Sequence, residues 1–150
     1  MSQRIEDTLE REGVYVSTTV GSSMWPMLRN RRDTIVIRPV SGSLSRYEVP
    51  LFRRGNDYVL HRVVRVLPDS YVMCGDNCAE QELGVTDDQI VGVLKEFYRG
   101  KRRVRHDARA YRAYARIWCA FYPLRRVRKR VLKRMARKAR TLFCQRGERG

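Results

Sequence analysis

DYVLHRVVRVLPDSYVMCGDN, residues 57–77, holds two runs of β-branched and aromatic residues parted by Leu-Pro-Asp-Ser. Such side chains fit a pleated surface and the Pro, Asp and Ser punctuate it, so the stretch predicts short strands joined by tight connections. The texture continues on both sides: VYVSTTV (14–20), TIVIRPV (34–40) and QIVGVL (89–94) are further β runs with Gly, Pro, Asp, Asn and Ser between them. The expected fold is mainly β, with short strands in meander-like order. Ahead of them QRIEDTLERE (3–12) puts Ile5 and Leu9 on one helical face, and Gly13 follows where a helix stop belongs.

From Gly100 onward the period changes. In DARAYRAYARIWCAFYP, Tyr111, Tyr114, Ala115, Trp118, Phe121 and Tyr122 recur at steps of three and four, which predicts an aromatic-faced helix broken at Pro123. Leu124, Val127, Val131, Met135, Ala139 and Leu142 repeat the pattern in a second, strongly basic helix, and the closing CQRGERG has little to bury and is expected to fray. The expected organisation is a β unit over 1–98 with its leading helix and a basic helical extension over 99–150, the transition falling within 99–107.

Charge divides the same way. Of the formal +16, residues 1–98 hold 12 Lys and Arg against 14 Asp and Glu, whereas 99–150 hold 20 against 2. The first twenty residues alternate charged and apolar positions without an apolar core of the signal-peptide kind, so no cleaved secretory signal and a cytoplasmic location are expected. The longest apolar window, IWCAFYPL (117–124), is far short of a membrane span. Cys74, Cys78, Cys119 and Cys144 lack the second close Cys or His pair that zinc needs, and read as reduced thiols in small apolar sites. No metal or organic cofactor is implied.

The chemistry-bearing stretch is GSSMWPML, residues 21–28, where a strand runs into Gly21 and Pro26 restricts the chain beyond Ser23. Nucleophilic catalysis by serine needs a hydroxyl on such a constrained turn, a base within reach and donors for the oxyanion. Taken singly, Ser22 and Ser23 read as turn formers, His61 as a half-buried strand histidine bonded to a carbonyl, and Asp76 as a turn aspartate capping amides.

Their succession carries more. GSSMWPML is followed by DTIVIRPV (33–40), YEVPLFRRGNDYVLHRVVRV (47–66) and YVMCGDN (71–77), and this order resembles the signal peptidase I and LexA-like serine peptidases over about residues 14–94. There a Ser-Met-x-Pro nucleophile motif precedes a strand carrying the base and then a Gly-Asp-Asn motif. The resemblance implies a β-fold of that type, with Ser23 as nucleophile and Met24 and Pro26 shaping the turn beside the scissile bond. His61 stands where many members have Lys; the only Lys of the β unit, Lys95, lies beyond the Gly-Asp-Asn motif, so the branch implied is Ser-His. Histidine suits the role because its ordinary pKa near 6.5 leaves it largely neutral and basic around neutral pH.

The group orienting His61 is implied to be Asp76 first, with Glu82, and Glu80 close by, as the alternative; Asn77 is structural. The Ser23 N–H is the natural oxyanion donor. Members of the family often add a Ser hydroxyl two residues before the nucleophile, where this chain has Gly21, so Ser22 or another amide must substitute. The implied reaction is endopeptidase cleavage of an extended leader or signal-type peptide with small residues near the cut. A LexA-like self-cleaving regulator is disfavoured, since no helix-turn-helix and no Ala-Gly or Cys-Gly pair precedes Ser23. A noncatalytic membrane or nucleic-acid binding module is the rival from another class. For the basic extension over 109–142 the expected partner is an anionic membrane surface, ahead of packing on the β unit and of nonspecific nucleic-acid binding.

Overall fold

The computed structural model describes residues 4–147, with side chains described through Arg137 apart from Lys133. It is mainly β, with a short N-terminal helix, a curled antiparallel sheet and a helical C-terminal segment. The elements in order are α1 (Ile5–Glu12), β1 (Tyr15–Thr18), β2 (Asp33–Arg38), β3 (Pro50–Arg54), β4 (Asp57–Leu60), β5 (Arg62–Val66), β6 (Tyr71–Cys74), β7 (Glu82–Val85), β8 (Ile90–Arg99), β9 (Arg102–Arg105), α2 (Arg109–Ala120) and α3 (Tyr122–Gly147). Helix α1 ends as expected, the Gly13 N–H donating to Leu9 O at 2.9 Å.

Strand order departs from a meander. The larger sheet runs β1-β2-β8-β3-β4, so β8 inserts between β2 and β3, while β5-β6-β7 form a second, true meander. Strand β8 is long enough to hold β2, β3 and β9: Asp33–Arg38 pair with Val93–Arg99, Pro50–Phe52 with Val93–Ile90, and Arg102–Arg105 with Arg99–Glu96. Alternation along it builds two cores. Leu94, with Leu51 and Ile37, packs with Leu9 of α1 and Tyr111 of α2; Val93, with Phe52, packs with Val63, Tyr71 and Met73 of the smaller sheet. Each such large apolar side chain contributes about 1.5–3 kcal/mol by leaving water.

The division at 98/99 falls inside β8, and β9 completes a hairpin with it; the extension proper begins with α2 at Arg109. Pro123 does part the two helices, since α2 stops at Ala120 and Pro123 sits in the first turn of α3. The closing segment, expected to fray, is helical through Gly147, whereas residues 148–150 and the expectations placed on the Ala139, Leu142 and Cys144 side chains lie outside the described residues.

Candidate active site

The Ser23 turn is an excursion between β1 and β2, closed at its neck. Thr19 N–H donates to Asp33 O (3.0 Å), Arg31 N–H to Thr19 O (2.7 Å), and the Thr19 hydroxyl to Arg29 O (2.8 Å). Asp33, fully buried, accepts from the Arg29 backbone N–H (2.9 Å) and from its guanidinium (2.9 and 3.0 Å). Met24, Met27 and Leu28 plug into the core while Ser23 stays half-buried. Met24 of the Ser-Met-x-Pro motif thus acts as the anchor that holds its neighbour at the surface. Gly21 has φ +94°, a conformation that side chains other than glycine's rarely adopt, and its N–H donates to Asn30 Oδ1 at 2.9 Å. A side chain at this position, a serine included, would be strained.

His61 occupies the junction where the chain leaves β4 in the larger sheet and enters β5 in the smaller one. It is 6% exposed and meets the Phe52 ring edge-on. Its Nδ1 lies 2.7 Å from Glu82 Oε1 at the start of β7, although the oxygen sits off the N–H direction, so this is a close polar contact and not an aligned hydrogen bond. Glu82 Oε1 also accepts from Arg54 (3.3 Å). Burial pushes the His61 pKa below its ordinary value, and the Glu82 charge only partly offsets that, leaving the ring neutral and basic at pH 7.

The other ring nitrogen faces the Ser23 turn across Gly75. A Cβ at Gly75 would lie 2.6 Å from Ser23 O, 2.7 Å from Cys78 Sγ and 3.0 Å from His61 Nε2. The glycine of Gly-Asp-Asn is therefore what allows turn and imidazole to close over the same point. Ser23 and His61 line one cavity of about 550 Å³, together with Met24, Leu28 and Leu60. Both line it without a Ser23–His61 hydrogen bond. Among the described residues no acceptor takes the Ser23 N–H, which leaves it open to an oxyanion.

Asp76, the first choice for orienting His61, is committed elsewhere. Its two oxygens accept from Arg62 Nε and a terminal guanidinium nitrogen, both at 2.8 Å, in a pair that is fully buried on the Arg62 side, and Tyr114 adds a hydroxyl donor at 3.0 Å. Arg62 further donates to Tyr47 O (3.0 Å) and Tyr111 Oη (3.2 Å), and the Asp76 bond holds its pKa well above the ordinary value despite burial. Asp76 thus fastens β5 to the β6–β7 connection, and the carboxylate beside His61 is Glu82. Glu80 is exposed and lies 3.8 Å from Arg130. Asn77 is structural: its N–H donates to Ser23 O (2.7 Å) and its side-chain Nδ2 to Ser22 O (3.1 Å).

Sequence reasoning missed several participants. Cys78 Sγ lies 4.0 Å from His61 Nε2 and lines the cavity, a second nucleophile candidate; burial raises its pKa, which keeps it a thiol at neutral pH. Arg99 braces the turn from β8, donating to Pro26 O (3.1 Å) and Met27 O (2.6 Å). Arg62 shares its strand with Arg65, and nothing in the run RVVRV marks which of the two turns inward. Cys74, Cys78 and Cys119 are free thiols, and burial pushes Cys74 up to about 12. Among the described residues no group of three or more potential metal ligands converges.

The extension packs on this site with part of its aromatic face. Tyr111 and Tyr122 are buried, and Trp118 stacks on Tyr114 (5.6 Å between centroids) beneath the Arg125 guanidinium (4.1 Å), leaving Phe121 outward. Among the described residues no helix is long and apolar enough to cross a membrane. No protein-family model, no curated protein and no solved structure matches the chain.

Proposed function

We propose that the protein is a serine endopeptidase of the signal-peptidase/LexA-like type, working through Ser23, His61 and Glu82. The observation that carries the reading is the convergence of the Ser23 turn and His61 Nε2 over Gly75, with Glu82 against Nδ1. In the proposed reaction Ser23 Oγ attacks the peptide carbonyl while its proton passes to His61 Nε2. The imidazolium, steadied by Glu82, returns that proton to the departing amine. Water, deprotonated by the same ring, then attacks the acyl-enzyme and releases the acid and the free serine. The Ser23 N–H takes the oxyanion.

The cavity walls support an extended peptide as the substrate class. Tyr15, Ser17 and Thr18 of β1 and Tyr58, Val59 and Leu60 of β4 both face it, and these are the two end strands of the larger sheet. An extended peptide laid between them gains backbone hydrogen bonds as an added strand. Small residues near the cut are expected, as in a leader or signal-type peptide. Digestion of a mixed peptide library read by mass spectrometry tests this. Cuts after small residues that vanish in Ser23→Ala support it; identical spectra with and without the variant sink it.

We further infer that the extension holds the protein at an anionic bilayer. Phe121, Leu124, Val127, Val131 and Met135 follow one another at three- and four-residue steps and remain 47–65% exposed, with Arg128, Arg130 and Arg134 exposed around them. Phosphate binding in a nucleic acid makes no use of an apolar row, whereas an interfacial helix needs one. Co-sedimentation with phosphatidylglycerol vesicles but not phosphatidylcholine vesicles is expected; binding to duplex or single-stranded DNA with no vesicle binding would reverse the assignment.

A further inference from the structure

Four side chains of α2 and α3 converge on the segment that follows Gly75. Tyr114 Oη donates to Asp76 Oδ2 (3.0 Å), Trp118 Nε1 to Asp76 O (3.0 Å) and Tyr122 Oη to Ala79 O (2.7 Å). Lys129 Nζ donates to the Asn77 carbonyl and, at 2.7 Å, to Asn77 Oδ1. On its other side the same segment grips the nucleophile turn through the two Asn77 bonds to Ser23 O and Ser22 O. Asn77 is the shared link.

The chemistry of that link is directional. A carboxamide has one acceptor end and one donor end of nearly equal shape, and an ammonium only donates. With Lys129 on Oδ1, the Asn77 NH₂ group is turned toward the Ser22 carbonyl. The flipped amide would set oxygen against oxygen there and nitrogen against the ammonium. Lys129 is half-buried, whereas its neighbours Arg128 and Arg130 are exposed, so one cation of a basic run has been diverted to the domain. Trp118, capped by Arg125, fixes the preceding carbonyl from behind.

We propose that the helical extension is a positioning element of the catalytic centre, in which Lys129 orients Asn77 and Trp118 holds Asp76 O so that the Ser22–Ser23 turn is fixed against His61. This rests on the serine peptidase reading for its kinetic consequence but not for its structural one. Neither Lys129 nor Trp118 touches the reacting atoms.

The test uses the full chain carrying Lys129→Met, which keeps the stem and loses the donors, Lys129→Arg, which keeps donors, and Trp118→Phe, which keeps an aromatic ring and loses the N–H. The readouts are the rate of fluorophosphonate labelling of Ser23, its pH midpoint, and hydrogen exchange at the Asn77 amide. Misplacing a nucleophile by a fraction of an ångström lowers rates on the order of tenfold to a hundredfold. Lys129→Met is expected to label that much more slowly with an unchanged midpoint, since His61 and Glu82 are untouched, and to exchange the Asn77 amide at least tenfold faster. Lys129→Arg is expected to recover most of the rate. Wild-type labelling and exchange in Lys129→Met and Trp118→Phe would overturn the proposal. If the wild type does not label, the peptidase reading fails by itself and exchange decides: faster at Asn77 in Lys129→Met supports the clamp, unchanged refutes it. If Lys129→Met does not fold, Trp118→Phe decides by the same readings.

Discussion

Exchanging one carboxylate at a time separates the two acids near His61. Asp76→Asn leaves the Arg62 guanidinium, fully buried, facing a neutral amide that can accept only one of its two donated bonds. Breaking a buried pair from one side costs about 3–5 kcal/mol, against a total stability on the order of 5–15 kcal/mol. At about 2–4 °C per kcal/mol for a domain of this size, the melting temperature should fall by about 6–20 °C. Glu82 is different, since its side chain is 24% exposed and its ion pair with Arg54 is 58% exposed on the arginine side, so Glu82→Gln should shift stability by less than about 1 kcal/mol. Its consequence falls on His61. Burial already depresses that pKa, and Glu82 raises it more than the Asp76 charge does, so losing the Glu82 charge moves the midpoint of fluorophosphonate labelling to lower pH. The labelling rate should drop between about a hundredfold and ten-thousandfold, the range seen when a base loses its orienting carboxylate. Circular-dichroism melts and labelling rates across pH 5–9 read both arms. An Asp76→Asn protein that melts like wild type but labels without a pH-dependent base, beside a Glu82→Gln protein that labels normally, would refute the assignment.

Other outcomes follow from the same contacts. Cys78→Ala should label at Ser23 within a few-fold of wild type, and iodoacetamide should modify Cys78 only slowly at pH 7, because burial keeps it a thiol; loss of all labelling in Cys78→Ala would make Cys78 the nucleophile. Because His61 titrates below its ordinary 6.5 when folded, the unfolded chain binds the extra proton first. Stability is therefore full above that value and lost as pH falls from it toward the folded pKa, and melts at pH 5 and 7.5 should show a smaller drop in His61→Gln than in wild type. Gly75→Ala forces a Cβ against the backbone oxygen of Ser23, and should lower stability by about 1–3 kcal/mol and labelling at least tenfold, measured by the same melt and probe. Val131→Ser with Leu124→Ser should weaken binding to phosphatidylglycerol vesicles without altering labelling in their absence, by sedimentation at two salt concentrations.

Local pattern made much of the fold legible, and pairing hid the rest. The Ile5–Leu9 spacing and Gly13 located α1, β-branched runs and turn formers located β1, β2, β6 and the first half of β8, and DYVLHRVVRV was a run whose break at His61 only the sheets reveal. Meander order failed because β8 reaches back between β2 and β3, a long-range choice that no window of sequence encodes. At the site, Ser23 and His61 could be picked out because each lies in a short run of sequence with its own texture, and the structure places both on one cavity. Asp76 was given the wrong neighbour because its partner depends on which way Arg62 points once β5 pairs with β6, Arg62 opposite Cys74. Lys129 was invisible in the run Arg128-Lys129-Arg130, where only the docking of α3 distinguishes the cation that turns inward.

Labelling of the purified 150-residue chain with a fluorophosphonate across pH 5 to 9, beside Ser23→Ala and His61→Ala, tests the central claim most directly. The expected result is a single adduct on Ser23 whose rate rises through a midpoint below 6.5 and which is absent from both variants. An unlabelled wild type, in buffer and with phosphatidylglycerol vesicles alike, or an adduct that persists in His61→Ala at the wild-type rate, would contradict a Ser23–His61 catalytic centre.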